Sequence, residues 1–237
     1  MATRRRATSE QGQAPTIAAW SFSRWHTYET CPRQARYKYI DKLPDPSGPA
    51  AQRGSEIHEQ AERFVAGHIV ELPNTLRRFS DEFAELRRST RVEVEQQWAF
   101  TADWQPTDWF ASDTWCRMKV DVVAFVKHDR KSAARIIDHK TGREREHHEK
   151  QFELYALGAF VVLPQIQVVL TENWYLDQGD IVDRVFEASE IDALKQLWQR
   201  RTSDMLTDRL FAAHGRPHVE CRWCAFAKSK GGPCERG

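Results

Sequence analysis

Apolar and polar positions along the chain follow two different periods, which predicts an α/β protein. Apolar residues recur at helical spacing in residues 50–66, whereas strict alternation over residues 92–100 predicts a strand. The same reasoning predicts further helices at 21–43 (two short helices broken at Cys31-Pro32), at 80–88 with Ser80 as N-cap, at 149–162 and at 189–213. It predicts further strands at 115–126, up to Asp138, at 168–176 and at 181–186.

Composition and charge narrow the class of protein. The formal net charge is +1, so a basic patch for a polyanion would have to be local. We expect a cytoplasmic protein, because no run of about 18 apolar residues and no secretory leader is evident. Residues 1–15, with three arginines at positions 4–6, are predicted to be a disordered tail, and residues 16–237 a single domain.

A charged strand end near the middle of the chain carries the first candidate chemistry. Side chains alternate along a strand, so Asp138 and Lys140 should project from one face about 6.6 Å apart at ~3.3 Å per residue. A carboxylate can hold a divalent cation, and a neighbouring amine can polarise water or stabilise a developing anion. On these two residues alone, a surface ion pair remains the simpler interpretation.

Partners elsewhere in the chain strengthen the catalytic interpretation. Asp121 is a carboxylate inside the preceding strand, which we expect to pair antiparallel with the strand ending at Asp138. His58 lies beside an apolar helical stripe, where a packed core histidine is the alternative to a ligand. Gln151 and Tyr155 are four residues apart on a predicted helix and should lie on one face.

Several aromatic, acidic and basic residues keep two interpretations open. Trp104, Trp109 and Trp115 in the predicted turn between strands suit hairpin packing better than base stacking. The carboxylates of residues 93 and 95 either support the site or belong to a solvated strand face. Two arginines, Arg33 and Arg36, either contact phosphate or are simply solvated.

The ordered set of these motifs resembles a known family. It is similar to the RecB-type nucleases of the PD-(D/E)xK superfamily in five pieces: Gly54-x-x-x-His58, Asp121, Asp138-His139-Lys140, Gln151 and Tyr155. The resemblance implies a mixed central sheet flanked by helices, as in restriction endonucleases. It departs from the signature at His139, where an acidic residue is usual.

Site roles follow from the resemblance. It implies that Mg²⁺ or Mn²⁺ is bound by His58, Asp121, Asp138 and the backbone carbonyl of His139. It further implies that Lys140 is the catalytic lysine, acting with Asp138 and Asp121. Gln151 and Tyr155 would position the DNA or the site.

Four cysteines suggest a second metal group. Cys221-x-x-Cys224 is followed after nine residues by Cys234, and Cys31 is the candidate fourth ligand. The pattern resembles iron–sulfur members of the family, including the exonuclease of CRISPR adaptation and the AddB-type nuclease domain. It implies a [4Fe–4S] cluster that is held by Cys31 and residues 214–237 and joins the two ends of the chain. Structural Zn²⁺ is the rival, and the gap before Cys234 is longer than usual for the family.

The sequence therefore predicts a metal-dependent DNA exonuclease, with a role in DNA recombination, repair, phage replication or CRISPR adaptation. Its partners would be DNA, single-stranded or with free ends, and a helicase, an annealing protein or a CRISPR-adaptation protein. The alternatives are a catalytically silent DNA-binding module or partner subunit that keeps the fold, and a nuclease acting on RNA. No P-loop motif G-x-x-x-x-G-K-[ST] occurs.

Overall fold

A computed structural model describes residues 16–46, 48–145, 147–213 and 219–236 of the chain. The predicted tail at 1–15 and residues 214–218 of the Cys-rich segment lie outside the described residues. In the part of the chain described, no helix combines the length and apolar character needed to cross a bilayer.

A six-stranded mixed sheet forms the centre of the structure. Its spatial order is β2-β1-β3-β4-β5-β6. β4 and β5 are parallel and are connected through a helix, while all other neighbours are antiparallel. The strands are β1 (Val92–Phe100), β2 (Pro106–Thr107), β3 (Cys116–His128), β4 (Lys131–Lys140), β5 (Val168–Tyr175) and β6 (Asp180–Glu187).

Helices cover both faces of the sheet. They are α1 (Phe22–Thr30), α2 (Pro32–Ala35), α3 (Pro49–Val65), α4 (Ser80–Arg88), α5 (His147–Val162) and α6 (Ile191–Thr207). A π-helical turn (Arg36–Ile40) and 3₁₀ turns (Asn74–Phe79, Ala188–Glu190, Val219–Trp223, Lys228–Lys230) supplement them. Side chains of α1, α5 and α6 build one apolar core, and those of α3 and α4 build a second core. The predicted mixed sheet flanked by helices is thus confirmed.

Three local predictions were wrong. The last long helix ends at Thr207 rather than near residue 213, because the Asp208 carboxylate accepts the N–H groups of Leu210 (2.8 Å) and Phe211 (2.9 Å). Ser80 is the first residue of α4 rather than its N-cap, because a 3₁₀ turn runs directly into the helix. The turn after β1 also contains a short strand, β2.

The side-chain alternation that a strand implies fails at one point in β3. Met118 and Val120 pack in the first core as expected, but Val122 packs in the second core on the other side of the sheet. The change occurs at Asp121. Glu95 of β1 lies opposite Asp121, between the pairs Val94–Val122 and Gln96–Val120. The φ of Glu95 is 52°, which lies in the left-handed region. The irregular backbone therefore breaks the two-residue period beside the candidate site.

Candidate active site at the split between two strands

The candidate site begins where β3 and β4 separate. Their backbone pairing ends at Val122 and Ile137, as the predicted antiparallel arrangement requires. Asp121 and Asp138 are the next residues along each strand. Instead of another backbone bond, the Asp121 Oδ2 atom accepts the N–H of His139 at 2.8 Å. The split thus brings the two carboxylates together at one end of the sheet.

Asp138 is enclosed by polar side chains. The ammonium group of Lys140 contacts its Oδ2 atom, and the hydroxyl of Tyr155 lies 3.1 Å from its Oδ1 atom. Burial raises the pKa of Asp138, while the charge of Lys140 acts in the opposite direction. The predicted same-face arrangement of Asp138 and Lys140 is therefore present, and it is a buried pair rather than a surface pair.

Asp121 is bound from the opposite side of the split by α3. The Nδ1 atom of His58 lies 3.2 Å from Asp121 Oδ2. Burial by itself would raise the pKa of Asp121, but the hydrogen bond and charge of His58 and the N–H of His139 lower it to about 2. Burial by itself would lower the pKa of His58, but the hydrogen bond and charge of Asp121 together with the charge of Asp138 raise it above its usual value. His58 is therefore a site neighbour rather than a core histidine without a polar partner.

The backbone of His139 faces the same split. In an antiparallel pair the N–H and C=O of one residue point to the same neighbour, so the His139 carbonyl is directed towards β3 together with its N–H. Its imidazole is buried against Phe83 and Trp174, with ring centroids 5.4 Å and 5.7 Å away. Burial lowers the pKa of His139 to about 4.

Helix α5 adds the remaining predicted residues. Gln151 Oε1 accepts from Lys140 Nζ at 2.9 Å, and Gln151 Nε2 donates to the Tyr155 hydroxyl at 2.5 Å. That hydroxyl lies 3.1 Å from both Asp138 Oδ1 and the carbonyl of Lys119, and its one proton serves a single acceptor at a time. Gln151 and Tyr155 thus connect the lysine to the buried carboxylate.

Gly54 makes a close approach one turn before His58. A Cβ atom there would lie 3.1 Å from the Thr141 Oγ1 atom in the segment that follows β4. Nearby, Arg53 pairs with Asp177 (3.0 Å), which also accepts the N–H of Gly142 at 2.9 Å. These contacts fix α3, and with it His58, against the end of β4.

An open cleft of about 530 Å³ adjoins this cluster. Lys140, Gln151 and Tyr155 line its inner end, and its walls also contain Ser21, Arg24, His26, Trp109, Arg117, Lys119, His147 and His148. Sequence reasoning did not identify Arg24, His26 or Arg117 as site residues. The two-residue alternation of β3, which puts Arg117 and Lys119 on the same strand face as Asp121, could have pointed to Arg117. Arg33 and Arg36 do not line this cleft.

The structure distinguishes packing residues from cleft residues among the other aromatic and acidic candidates. Trp104 and Trp115 pack together with ring centroids 5.3 Å apart, which confirms hairpin packing for these two. Glu93 pairs with Arg91 on the surface, at 3.1 Å. The carboxylate of Glu95 contacts the ammonium of Lys119 on the cleft wall.

The four cysteines line one small cavity of about 20 Å³, with Tyr37 and Phe226. All four are free thiols: Cys31, Cys221, Cys224 and Cys234. Burial raises the pKa of Cys224, and the neighbouring thiols add to the effect. Within the residues described, no three His, Cys, Asp or Glu side chains are grouped so that they could hold a metal ion, here or at the split. The fifth cysteine, Cys116, is fully buried in β3 and does not line this cavity.

Comparisons with known proteins give a family match and similar crystal structures. A sequence model of the PD-(D/E)XK nuclease superfamily matches residues 19–119 and 117–229. No curated protein matches the sequence. Two crystal structures are similar: SSO0001 (15% identity, TM-score 0.46, covering 94% of this chain and 89% of that one), and a candidate exonuclease from Eubacterium rectale (12% identity, TM-score 0.48, covering 93% and 94%).

Proposed function

Because this chain belongs to the PD-(D/E)XK nuclease superfamily, we propose that it is a metal-dependent DNA exonuclease that hydrolyses phosphodiester bonds at the split between β3 and β4. One observation carries the proposal. Two buried carboxylates, Asp121 and Asp138, lie past the last paired residues of adjacent strands, and an ammonium group contacts one of them. This is the residue set that metal-assisted phosphodiester hydrolysis requires.

The donor atoms at the split suit a hard divalent cation by their chemistry. We propose that Mg²⁺ or Mn²⁺ is held by His58, Asp121, Asp138 and the carbonyl oxygen of His139. Carboxylate and carbonyl oxygens with one imidazole suit Mn²⁺ well and Mg²⁺ acceptably. When bound, the cation supplies Lewis-acid stabilisation of charge on the phosphate and lowers the pKa of a bound water. Binding would replace present contacts, since Asp121 Oδ2 is engaged by His58 and His139.

Lys140 is the proposed catalytic lysine. Its ammonium is held between Asp138 and Gln151 at the inner end of the cleft, where a phosphate could reach it. There it would stabilise negative charge developing on the phosphate oxygens. Gln151 and Tyr155 are the proposed positioning residues, since they fix the ammonium and the carboxylate relative to each other.

The exonuclease assignment rests on the motif order of RecB-type nucleases, in which Gly54 and His58 precede the carboxylates and Gln151 and Tyr155 follow the lysine. The proposed biological setting is DNA recombination, repair, phage replication or CRISPR adaptation, with a helicase, annealing or adaptation protein as partner. The contrasting proposal is a silent DNA-binding module. The intact trio of Asp121, Asp138 and Lys140 favours the enzyme.

We further propose that the four cysteines bind a metal group that joins the two ends of the domain. The resemblance favours [4Fe–4S], and Zn²⁺ is the rival. The cavity between the thiols fits a [4Fe–4S] cluster and a Zn²⁺ ion differently, because its volume of about 20 Å³ leaves room for about one water-sized occupant. A four-iron cluster is larger than such an occupant, so the thiols would have to move outward to hold one. Iron, sulfide and zinc analysis of anaerobically purified protein separates the two.

Cleavage of end-labelled DNA tests the proposed activity. Linear single-stranded, linear duplex and closed circular DNA are each incubated with Mg²⁺, Mn²⁺ or EDTA. We expect progressive shortening of linear DNA with metal, none with EDTA, and no attack on circles. Lys140→Ala should abolish cleavage while DNA binding persists. Cutting of circular DNA would contradict the exonuclease assignment. Full cleavage activity of Lys140→Ala would show that Lys140 is not the catalytic lysine, and no cleavage with any metal would favour the binding module.

A further inference from the structure

Two consecutive aromatic residues lie beside the cleft, one lining it and the other exposed to solvent. Trp109 and Phe110, here called the aromatic tip, lie in the segment that connects β2 to β3 across the end of β1. Trp109 lines the cleft, and Phe110 is 85% exposed. Trp104 and Trp115, by contrast, are occupied by packing within the hairpin. An exposed aromatic ring on a tip that adjoins the cleft has a face available to a ligand.

Arg117 is held between the two rings of the aromatic tip. The centre of its guanidinium lies 5.5 Å from the Trp109 ring centroid and 5.5 Å from the Phe110 ring centroid. Its Nε atom is buried and has no hydrogen-bond partner among the described residues. A buried N–H donor without an acceptor costs free energy, and a phosphate oxygen could satisfy it.

The aromatic tip is continuous with the candidate active site. Arg117, Lys119 and Asp121 follow one another at every second position of β3, so Arg117 lies about 13 Å along the strand from Asp121. Cationic side chains of Arg24, Arg117, Lys119 and Lys140 line the cleft over this distance. The cleft therefore combines cationic side chains with the Trp109 ring, and the exposed Phe110 ring follows Trp109 directly in the chain.

We propose that the aromatic tip and Arg117 bind an unpaired DNA strand, with one base stacked on Phe110 and a flanking phosphate bound by Arg117. The inference deepens the proposed function, because it assigns single-stranded DNA as the substrate form that reaches the split. Aromatic stacking beside a positively charged groove is the general way in which unpaired strands are bound without sequence preference. In a duplex the faces of the bases are covered by their neighbours, so an exposed ring gains little from them.

Binding measured in EDTA tests this inference separately from cleavage. The probes are a single-stranded oligonucleotide containing 2-aminopurine and a blunt duplex of the same sequence. We expect the single strand to bind the wild type more tightly and its 2-aminopurine fluorescence to be quenched. Phe110→Ala should weaken single-strand binding about tenfold and reduce the quenching, leaving the duplex unaffected. Phe110→Tyr, which keeps a ring, should retain both.

Val70→Ala is the matched control, since Val70 is 84% exposed but does not line the cleft. It should bind both probes as the wild type does. The inference is overturned if Phe110→Ala binds the single strand normally, if it loses single strand and duplex equally, or if the wild type does not prefer the single strand. A protein that shows the expected Phe110 effect but never cleaves would retain this binding site and lose the proposed catalytic function.

Discussion

The carboxylate of Asp121 takes the place of a backbone group in the sheet, because its Oδ2 atom accepts the N–H of His139 at 2.8 Å. This bond satisfies a buried donor at the point where β3 and β4 stop pairing. It also holds Asp121 beside Asp138 on the neighbouring strand. A single side chain therefore both ends the ladder and forms part of the candidate site.

Asp121→Asn removes the negative charge of Asp121 but keeps an oxygen that can accept a hydrogen bond. The amide oxygen can still accept the His139 N–H, so the fold should persist. We expect Mn²⁺ affinity, measured by titration calorimetry, to fall by at least about 10- to 100-fold, because the site loses one of its two carboxylates. The pKa of His58 should fall as its anionic partner is lost.

Asp208→Asn provides the matched control for the carboxylate. Asp208 also accepts backbone N–H groups, those of Leu210 and Phe211, but does not line the cleft. It should bind Mn²⁺ as the wild type does. Unchanged Mn²⁺ affinity in Asp121→Asn would show that Asp121 is not a ligand.

Tyr155→Phe should reduce catalysis without removing any charge. The variant loses the hydroxyl that links Gln151 to Asp138 and leaves the Lys119 carbonyl without this partner. We expect a loss of about 1–3 kcal/mol in the free energy of unfolding and a fall in kcat of about tenfold or more. Urea unfolding and single-turnover cleavage measure the two effects.

Tyr28→Phe removes a comparable hydroxyl away from the cleft, where it donates to Asp208 at 3.0 Å. We expect some loss of stability and unchanged kcat. If Tyr155→Phe behaves in the same way, Tyr155 has a purely structural role.

The strand split could be predicted from sequence because its parts are close along the chain. Asp121 and Asp138 lie on sequential strands joined by a two-residue turn, Asp129 and Arg130, so antiparallel pairing follows from proximity. Gln151 and Tyr155 are likewise related by helical spacing alone. Periodicity is sufficient for such local relationships.

The cleft could not be predicted in the same way. Arg24 in α1 and Arg117 in β3 come together through tertiary packing, and no local pattern links them. The two-residue period of β1 and β3 likewise gives no sign of the positive φ of Glu95 or of the shift of alternation at Asp121. A side-chain turn at Asp208 ended α6 early, although the residues beyond it continue an amphipathic pattern.

Acidification should destabilise the protein through three clustered histidines. His26 stacks on His147 (3.9 Å between ring centroids), and His148 lies 4.5 Å from His147. Burial is the main cause that lowers the pKa of His147 to about 4 and that of His148 to about 3, and the charges of Lys140 and Arg145 lower both further. Burial also lowers the pKa of His26.

The sign of the effect follows from proton linkage. Below the unfolded-state pKa of about 6.5 the unfolded chain binds protons that the folded histidines reject, so the free energy of unfolding falls from about pH 6.5 towards pH 4. Urea unfolding at several pH values measures this slope. A His147→Asn, His148→Gln variant should show a shallower slope, and an unchanged slope would assign the pH dependence to other groups.

Gly232 shapes the turn that carries Cys234. A Cβ atom at Gly232 would lie 2.3 Å from the backbone carbonyl carbon of Phe226, which is too close for any side chain. Gly232→Ala should therefore displace Cys234, whose N–H donates to the Phe226 carbonyl at 3.0 Å. We expect metal content per chain to fall. Gly48→Ala, with nothing within 4 Å of its Cβ position, should keep it.

Cys31→Ala tests whether the two ends of the domain share one metal group. Cys31 precedes α2, and the other three thiols around the cavity follow α6, so losing one ligand should free both segments. We expect metal content per chain to fall and the thermal unfolding midpoint to drop. Cys116→Ala is the control, because it removes a buried thiol that does not line this cavity. It should lose stability but retain the metal. Normal metal content and unfolding in Cys31→Ala would remove Cys31 from the ligand set.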